Sequence, residues 1–410
     1  MSATVLELIP LRPAVRTDAP VTLDLLLRIV PPTLAGTPRR PPLNLGLVLD
    51  HSGSMAGSRK IDYARQAAVY AIQQLLPEDR VSITIFDDTV KTLAPSALVR
   101  DKQHLIDLIN RVQPAGSTAL HAGWEAGARQ VQSLPVPGGL NRVLLLTDGL
   151  ANVGETNPDN IATDVKRLAV QGVSTTTMGV GNDYNEDLLE AMSRSGDGNY
   201  YYIESPRQLG DIFQTELLGL MATVGQHVLL GVEPQAGTRV ADVLNDLDRD
   251  AGGRLMLPNL IVGMPVEVVL RLQVPPQRET VDLCGFRLTW QDPQQGERFL
   301  TATLRLPAVG GVEWEALPCD ARVRESVAMQ MAGRAKRESS RAMEQGDHSA
   351  AEQWLQQARL VLSELPSTEL VAQEQRNLND VEARLREGDI IACAKMAKYQ
   401  HYQRSRSRTK

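Results

Sequence analysis

Five oxygen-bearing side chains stand where they could converge on one cation: Asp50, Ser52 and Ser54 in "VLDHSGSM" (48–55), Thr118 in "QPAGST", and Asp148 in "NRVLLLTDG". Two carboxylates and three hydroxyls form an all-oxygen donor set, which suits a hard divalent ion such as Mg²⁺ that keeps several of its waters. Hydroxyls lend lone pairs without charge, so only Asp50 and Asp148 offset the ion. If either acts through water, the ion stays electrophilic enough to attract an incoming carboxylate. Taken alone, Asp-x-Ser-x-Ser reads equally well as a turn and helix cap. His51 lies between donors but reads as a solvent-facing bystander rather than a base. "GVGND" at 179–183 lacks the full glycine spacing of a dinucleotide loop and reads as a strand-to-helix turn.

Convergence requires that Asp50 and Asp148 end neighbouring strands. Residues 43–222 alternate apolar runs with helical patterns. "LNLGLVLD" (43–50) precedes a helical segment at 58–76, with Ile61, Ala64, Ala68, Ile72, Leu75 and Leu76 near one face. "RVSITIFDDTVKTLA" reads as two strands joined at Asp87 and Asp88. A helix near "DKQHLIDLINRV" and another from Ala119 flank the "QPAGST" loop. "NRVLLLTDG" (141–149) and "GVSTTTMGVG" (172–181) are further apolar strands. Near-continuous apolar strands separated by helices predict a mostly parallel sheet covered on both faces. In such sheets ligands gather at the carboxyl ends of the strands, where Asp50 and Asp148 fall, and helix N-termini at that edge add positive potential.

The flanking sequence has different textures. Residues 1–42 hold two strand-like runs, "TVLELIPL" and "VTLDLLLRIVPP", then a Pro-, Gly- and Arg-rich linker, "TLAGTPRRPP". Residues 225–308 contain five short strand-like runs with turns and no helix between them, predicting an antiparallel sandwich-like domain that residues 1–35 would join. Residues 318–402 read as three helices with stops at Gly346, Pro366 and Gly388. The stretch 403–410 ends the chain as a basic tail. The whole run from Lys395, with Lys398, Arg404, Arg406, Arg408 and Lys410, reads as a solvated terminus rather than a nucleic-acid contact.

At 410 residues, several domains are expected. The 42% hydrophobic content is globular, the 4% aromatic content leaves aliphatic side chains to fill the cores, and the net charge of −6 gives no reason to expect nucleic acid on the main body. Cys284, Cys319 and Cys393 are odd in number and widely spaced, as in a reducing compartment. The N-terminus lacks the basic start and apolar core of a secretory signal, and no run approaches the roughly 18 apolar residues of a membrane span. A cytoplasmic protein is the expectation.

The residues "DHSGS" at 50–54, Thr118 in "GST" and Asp148 in "TDG" resemble the metal-ion-dependent adhesion site of the von Willebrand factor type A (VWA) domain, over residues 43–222. The flanking β segments resemble the layout of bacterial Ca²⁺-activated chloride channel-like and inter-α-trypsin-inhibitor-like proteins. With no membrane span, the channel label is not carried over. The resemblance implies a Rossmann-like sheet and a Mg²⁺, with Mn²⁺ or Ca²⁺ as alternatives, held by Asp50, Ser52, Ser54, Thr118 and Asp148. A partner's Asp or Glu would complete the ion, and Thr118 would move with occupancy. The implied function is metal-dependent protein binding, without catalysis, in assembly or regulation of a cytoplasmic complex, with an ATPase or a kinase/phosphatase system as the partner's setting. One alternative is a metal-dependent hydrolase or phosphatase, although phosphatases with an aspartyl nucleophile want a second aspartate where Ser52 stands. Another is a scaffold whose metal only stiffens loops.

Overall fold

The computed structural model describes residues 4–32, 41–136, 139–293 and 295–406. The expected linker at 33–42 lies at 33–40 outside them, as do the last four residues of the basic tail. The chain divides into two units, Pro38–Thr223 and Met1–Thr37 with Val224–Lys410.

The first unit is a six-stranded sheet in the order Val90–Leu98, Arg80–Phe86, Leu43–Asp50, Leu140–Thr147, Val173–Val180, Tyr200–Ile203. Every pairing is parallel except that of Val90–Leu98, the second arm of the hairpin turned at Asp87 and Asp88. All residues of Leu43–Asp50, Leu140–Thr147 and Val173–Val180 are buried. Both faces are covered by helices, which is why these strands read as unbroken apolar runs. On one face Ala64, Ala68 and Ile72 of the Lys60–Gln74 helix and Phe213 and Leu217 of Leu209–Met221 pack with Leu45, Leu47 and Leu49. On the other, the Leu120–Ser133 helix lies close enough that a Cβ on Gly127 would meet Val48 Cγ2 at 2.2 Å, and one on Gly123 the Phe86 ring at 2.4 Å. Glycines four apart thus let this helix, and the Thr118 loop before it, sit tight on the sheet.

The second unit holds two antiparallel sheets. One runs Val5–Pro10, Val21–Val30, Val266–Val274, Arg239–Val243; the other runs Leu255–Leu257, Thr223–Pro234, Val281–Asp292, Gly296–Leu306. Their facing side chains, among them Leu25, Leu27, Ile29, Leu230, Phe286 and Leu288, make one core. Residues 21–29 therefore pair in full register with 266–274, from Val21↔Val274 to Ile29↔Val266. Leu26 and Val269 point the other way, against Val323 of the Ala321–Glu344 helix, so strand Val21–Val30 also buries an apolar side chain on its second face.

Beyond the sandwich come a short helix, Gly311–Ala316, and four longer ones, Ala321–Glu344, His348–Ser363, Glu369–Glu387 and Ile390–Ser405. Local signals set the joins. Gly346 and Gly388 take left-handed φ of 76° and 80°, and Asp347 and Asp389, each following its glycine, accept N–H bonds as the next helix's cap. The last helix corrects the sequence expectation of a solvated terminus. Lys395, Tyr402, Arg404 and Arg406 are buried, and Asn245 Nδ2 donates to the Ser405 carbonyl at 3.2 Å. The charge is accommodated by pairing: Arg404 donates to Glu374 at 2.9 Å, and Lys336 caps the other carboxylate oxygen while donating to Gln400 at 2.9 Å. Burial alone would raise the Glu374 carboxyl, but the two cations outweigh it and hold it down to about 2.

Candidate metal centre

Asp50 is the last residue of its strand, next to the strand that ends at Thr147. Its Oδ1 accepts the Ser52 N–H at 2.8 Å, closing the tight turn that the alternating Asp-x-Ser allows. Its Oδ2 accepts the Thr147 hydroxyl, whose oxygen in turn accepts the Gly149 N–H at 3.1 Å. Thr147 is thus a latch between the two carboxylate-bearing strand ends. The sequence reading missed it, although a hydroxyl at the end of "VLLLT" was the available signal.

The hydroxyls continue the chain of contacts. Ser52 Oγ lies 3.1 Å from Ser54 Oγ, which donates to Asp148 Oδ1 at 2.7 Å. Asp50, Ser52, Thr118 and Asp148 are buried, while Ser54 is exposed at the rim. Thr118 is held by its backbone: its N–H donates to Asn152 Oδ1 at 3.0 Å, and its carbonyl accepts the Asn152 and Val153 N–H groups at 3.2 and 3.3 Å. A Cβ placed on Gly149 would stand 2.9 Å from Thr118 Oγ1 and 3.6 Å from Asp50 Oδ2, so both oxygens border the same glycine. The loops are tied together by Ala115 N–H to His51 carbonyl (2.7 Å) and Gly53 N–H to Gly116 carbonyl (3.1 Å). Gly116 adopts φ +64°, and a Cβ there would strike Asp88 Oδ1 at 2.2 Å, so only glycine serves. All five side chains singled out from sequence therefore surround one strand-end edge.

The electrostatics suit a cation. Asp50 and Asp148 have no exposed surface. Burial pushes the Asp50 carboxyl up to about 6 against the hydrogen bonds from Thr147 and Ser52, and the neighbouring Asp148 charge pushes the same way. Among the described residues one cation reaches the pair: Lys60 Nζ donates to Asp148 Oδ2 at 2.7 Å and lies 3.5 Å from Asp183 Oδ2. Sequence reading missed Lys60 as well. Two buried carboxylates with one ammonium leave a negative balance that a divalent ion would offset, and the donors are oxygens throughout, as hard cations prefer. Among the described residues no three His, Cys, Asp or Glu cluster in a way that could hold a metal, so any ion here must draw on the hydroxyls. His51 Nδ1 donates to the Gln113 carbonyl at 2.9 Å and Nε2 stands 3.8 Å from Asp87, so the ring is occupied away from the donor oxygens.

With the first unit's strands numbered in chain order, the sheet reads 3-2-1-4-5-6, and its direction of winding reverses between Leu43–Asp50 and Leu140–Thr147. This is the doubly wound α/β class, with the oxygen cluster at the switch point where such sheets bind ligands. Residues 44–215 match the family model of the von Willebrand factor type A domain, and this unit is a VWA domain.

An uncharacterised protein of Synechocystis sp. is 29% identical over 341 residues, 78% of each chain. The uncharacterised protein YfbK of Escherichia coli is 30% identical over 194 residues, 47% of this chain and 34% of that one. Human inter-alpha-trypsin inhibitor heavy chain H3 is 28% identical over 203 residues, and this chain spans only 22% of its length. Among solved structures, a von Willebrand factor type A protein from Catenulispora acidiphila superposes with a TM-score of 0.71 over 92% of this chain and 90% of its own, at 15% identity, a likeness of fold. No described helix is long and apolar enough to cross a membrane.

Proposed function

We propose that the chain is a metal-dependent protein-binding module in which Asp50, Ser52, Ser54, Thr118 and Asp148 hold a Mg²⁺ and an Asp or Glu of a partner completes its coordination. The observation that carries this reading is the unbroken string Asp50–Ser52–Ser54–Asp148, with Thr118 facing it across Gly149. With the ion bound, Ser52 and Ser54 would hold it, Asp50 and Asp148 would supply charge and orient its waters, and Thr118 would respond to ligand occupancy. Leu150, 54% exposed two residues beyond Asp148, offers the partner an apolar foothold beside the ion. Its setting is the assembly or regulation of a cytoplasmic complex, a reading supported by three cysteines that are all unpaired, one of them exposed. The C-terminal helices, which expose Leu360 and Ile391, give a second contact that needs no metal.

The test is capture from native lysate with the full chain in Mg²⁺, in EDTA, and as Asp148→Ala in Mg²⁺, after melting curves show each form folded. A partner held only by the intact chain in Mg²⁺, and released by a competing Glu-containing peptide, is the expected result. Equal retention in all three refutes metal bridging.

A further inference from the structure

Among the described residues Lys60 is the cation that reaches this centre, and no part of the proposed coordination uses it. Its side chain is 11% exposed, and its ammonium sits 2.7 Å from Asp148 Oδ2 on the carboxylate that also accepts Ser54 Oγ through Oδ1. The chain delivers it there at a conformational cost. Ser58 and Arg59, neither of them glycine, take left-handed φ of 52° and 57° in succession immediately before Lys60. Such strain persists only where surrounding contacts over-determine it, and it gathers at ligand clamps and switch segments. Gly181, at φ +75°, lines the lysine's path: a Cβ added there would be in ordinary contact, 3.4 Å from Lys60 Cε and 3.5 Å from Nζ. A second seat is in reach: Asp183 Oδ2 lies 3.5 Å from Nζ on a side chain that is 75% exposed.

We propose that Lys60 is a tethered competitor for the metal: its ammonium holds Asp148 in the metal-free protein and steps outward to Asp183 when a divalent cation binds. The inference rests on the metal reading above. A divalent ion and an ammonium draw on one carboxylate and repel each other, so each lowers the other's hold, by the same factor in both directions. The competitor keeps the buried carboxylate pair partly neutralised and folded without metal. It also lowers the intrinsic metal affinity, so that stable retention of the ion depends on the added carboxylate of a partner.

The experiment is calorimetric titration of the full chain with Mg²⁺, and with Mn²⁺ as a second probe, for wild type, Lys60→Met, Asp183→Asn and Asp148→Ala, each checked by melting. Lys60→Met, which keeps the length and removes the charge, is expected to bind metal roughly fivefold or more tightly than wild type, the low end of ordinary site–site coupling. Asp183→Asn, which removes the second seat, is expected to bind more weakly. Equal or weaker binding by Lys60→Met overturns the competitor role and leaves the metal reading standing. Absence of binding by both folded wild type and folded Lys60→Met overturns both readings.

A readout on the unaltered protein covers the case where Lys60→Met does not fold. The acetylation of Lys60 by acetic anhydride, followed by peptide mass spectrometry, is expected to rise several-fold relative to other lysines as Mg²⁺ saturates the protein. Unchanged labelling at a metal concentration that saturates the calorimetric signal refutes the displacement.

Discussion

Asp50→Asn should stabilise the metal-free protein and lose that advantage when metal is added. In the metal-free fold the Asp50 carboxyl is raised from 3.8 to about 6, chiefly because it is buried. Each tenfold change in proton affinity is worth 1.36 kcal/mol, so ionised Asp50 costs the fold about 3 kcal/mol relative to the unfolded chain. A folded state that binds the proton more tightly carries no such penalty below the unfolded value of 3.8, and carries all of it above about 6. Asparagine cannot ionise. Its Oδ1 can still accept the Ser52 N–H, and its Nδ2 can donate to Thr147 Oγ1 in place of the bond that Asp50 accepts. In EDTA at pH 7.5 the variant should therefore be more stable by ~2–3 kcal/mol, with the gap closing as pH falls towards 4. With Mg²⁺ at 100 times its dissociation constant the wild type gains about 2.7 kcal/mol, and the neutral variant loses most of that gain, so the gap between the two forms largely closes. Hydrogen exchange in peptides from Leu43–Asp50 and Leu140–Thr147 reports this unit separately from the rest of the chain. A variant less stable than wild type in EDTA at pH 7.5, or a gap that does not change with pH, would refute the reasoning.

Further outcomes follow from the same contacts. Gly149→Ala places a methyl 2.9 Å from Thr118 Oγ1, and it should weaken Mn²⁺ binding, read by electron paramagnetic resonance, while shifting the melting temperature little. Gly127→Val should cost at least about 1–3 kcal/mol by overpacking against Val48 and should loosen metal binding by lifting the helix behind Thr118; urea unfolding and the same Mn²⁺ titration check both. Thr147→Val removes the donor to Asp50 and the acceptor for the Gly149 N–H, and should lower stability by roughly 1–3 kcal/mol in urea unfolding. Glu374→Gln strands Lys336 and Arg404 and should cost about 3–5 kcal/mol at pH 7. Because the Glu374 carboxyl is depressed to about 2, the stability it contributes is complete above its unfolded value of 4.5 and is lost as pH falls towards 2; a gap between wild type and variant that persists unchanged below pH 4 would contradict this.

What the sequence makes legible here is whatever local chemistry determines. Asp50 and Asp148 stand out because each follows an apolar run that only a doubly covered parallel strand explains, and the Gly-Asp pairs at 346–347 and 388–389 announce their helix joins in adjacent residues. The second pair also marks the start of Ile390–Ser405, but the run of Lys and Arg inside that helix overrode it in the reading. Arg404 is buried because Glu374, thirty positions earlier and on another helix, accepts from it, and no local pattern encodes a pairing at that distance. Tyr200–Ile203 escaped for a different reason, being four residues long and lacking the length of an apolar run.

Lys60 is the instructive case. "SRKIDYAR" has the composition of any solvated helix start, and charge patterning would leave its lysine in water. Its inward aim depends on two consecutive left-handed residues that are not glycine, a conformation that side-chain type argues against. A local rule is broken at the point where a second cation enters the centre. Foldable sequences tolerate such conflicts chiefly where function requires them, so the same strain that hid Lys60 from the sequence supports its role as part of the metal site rather than of the helix surface.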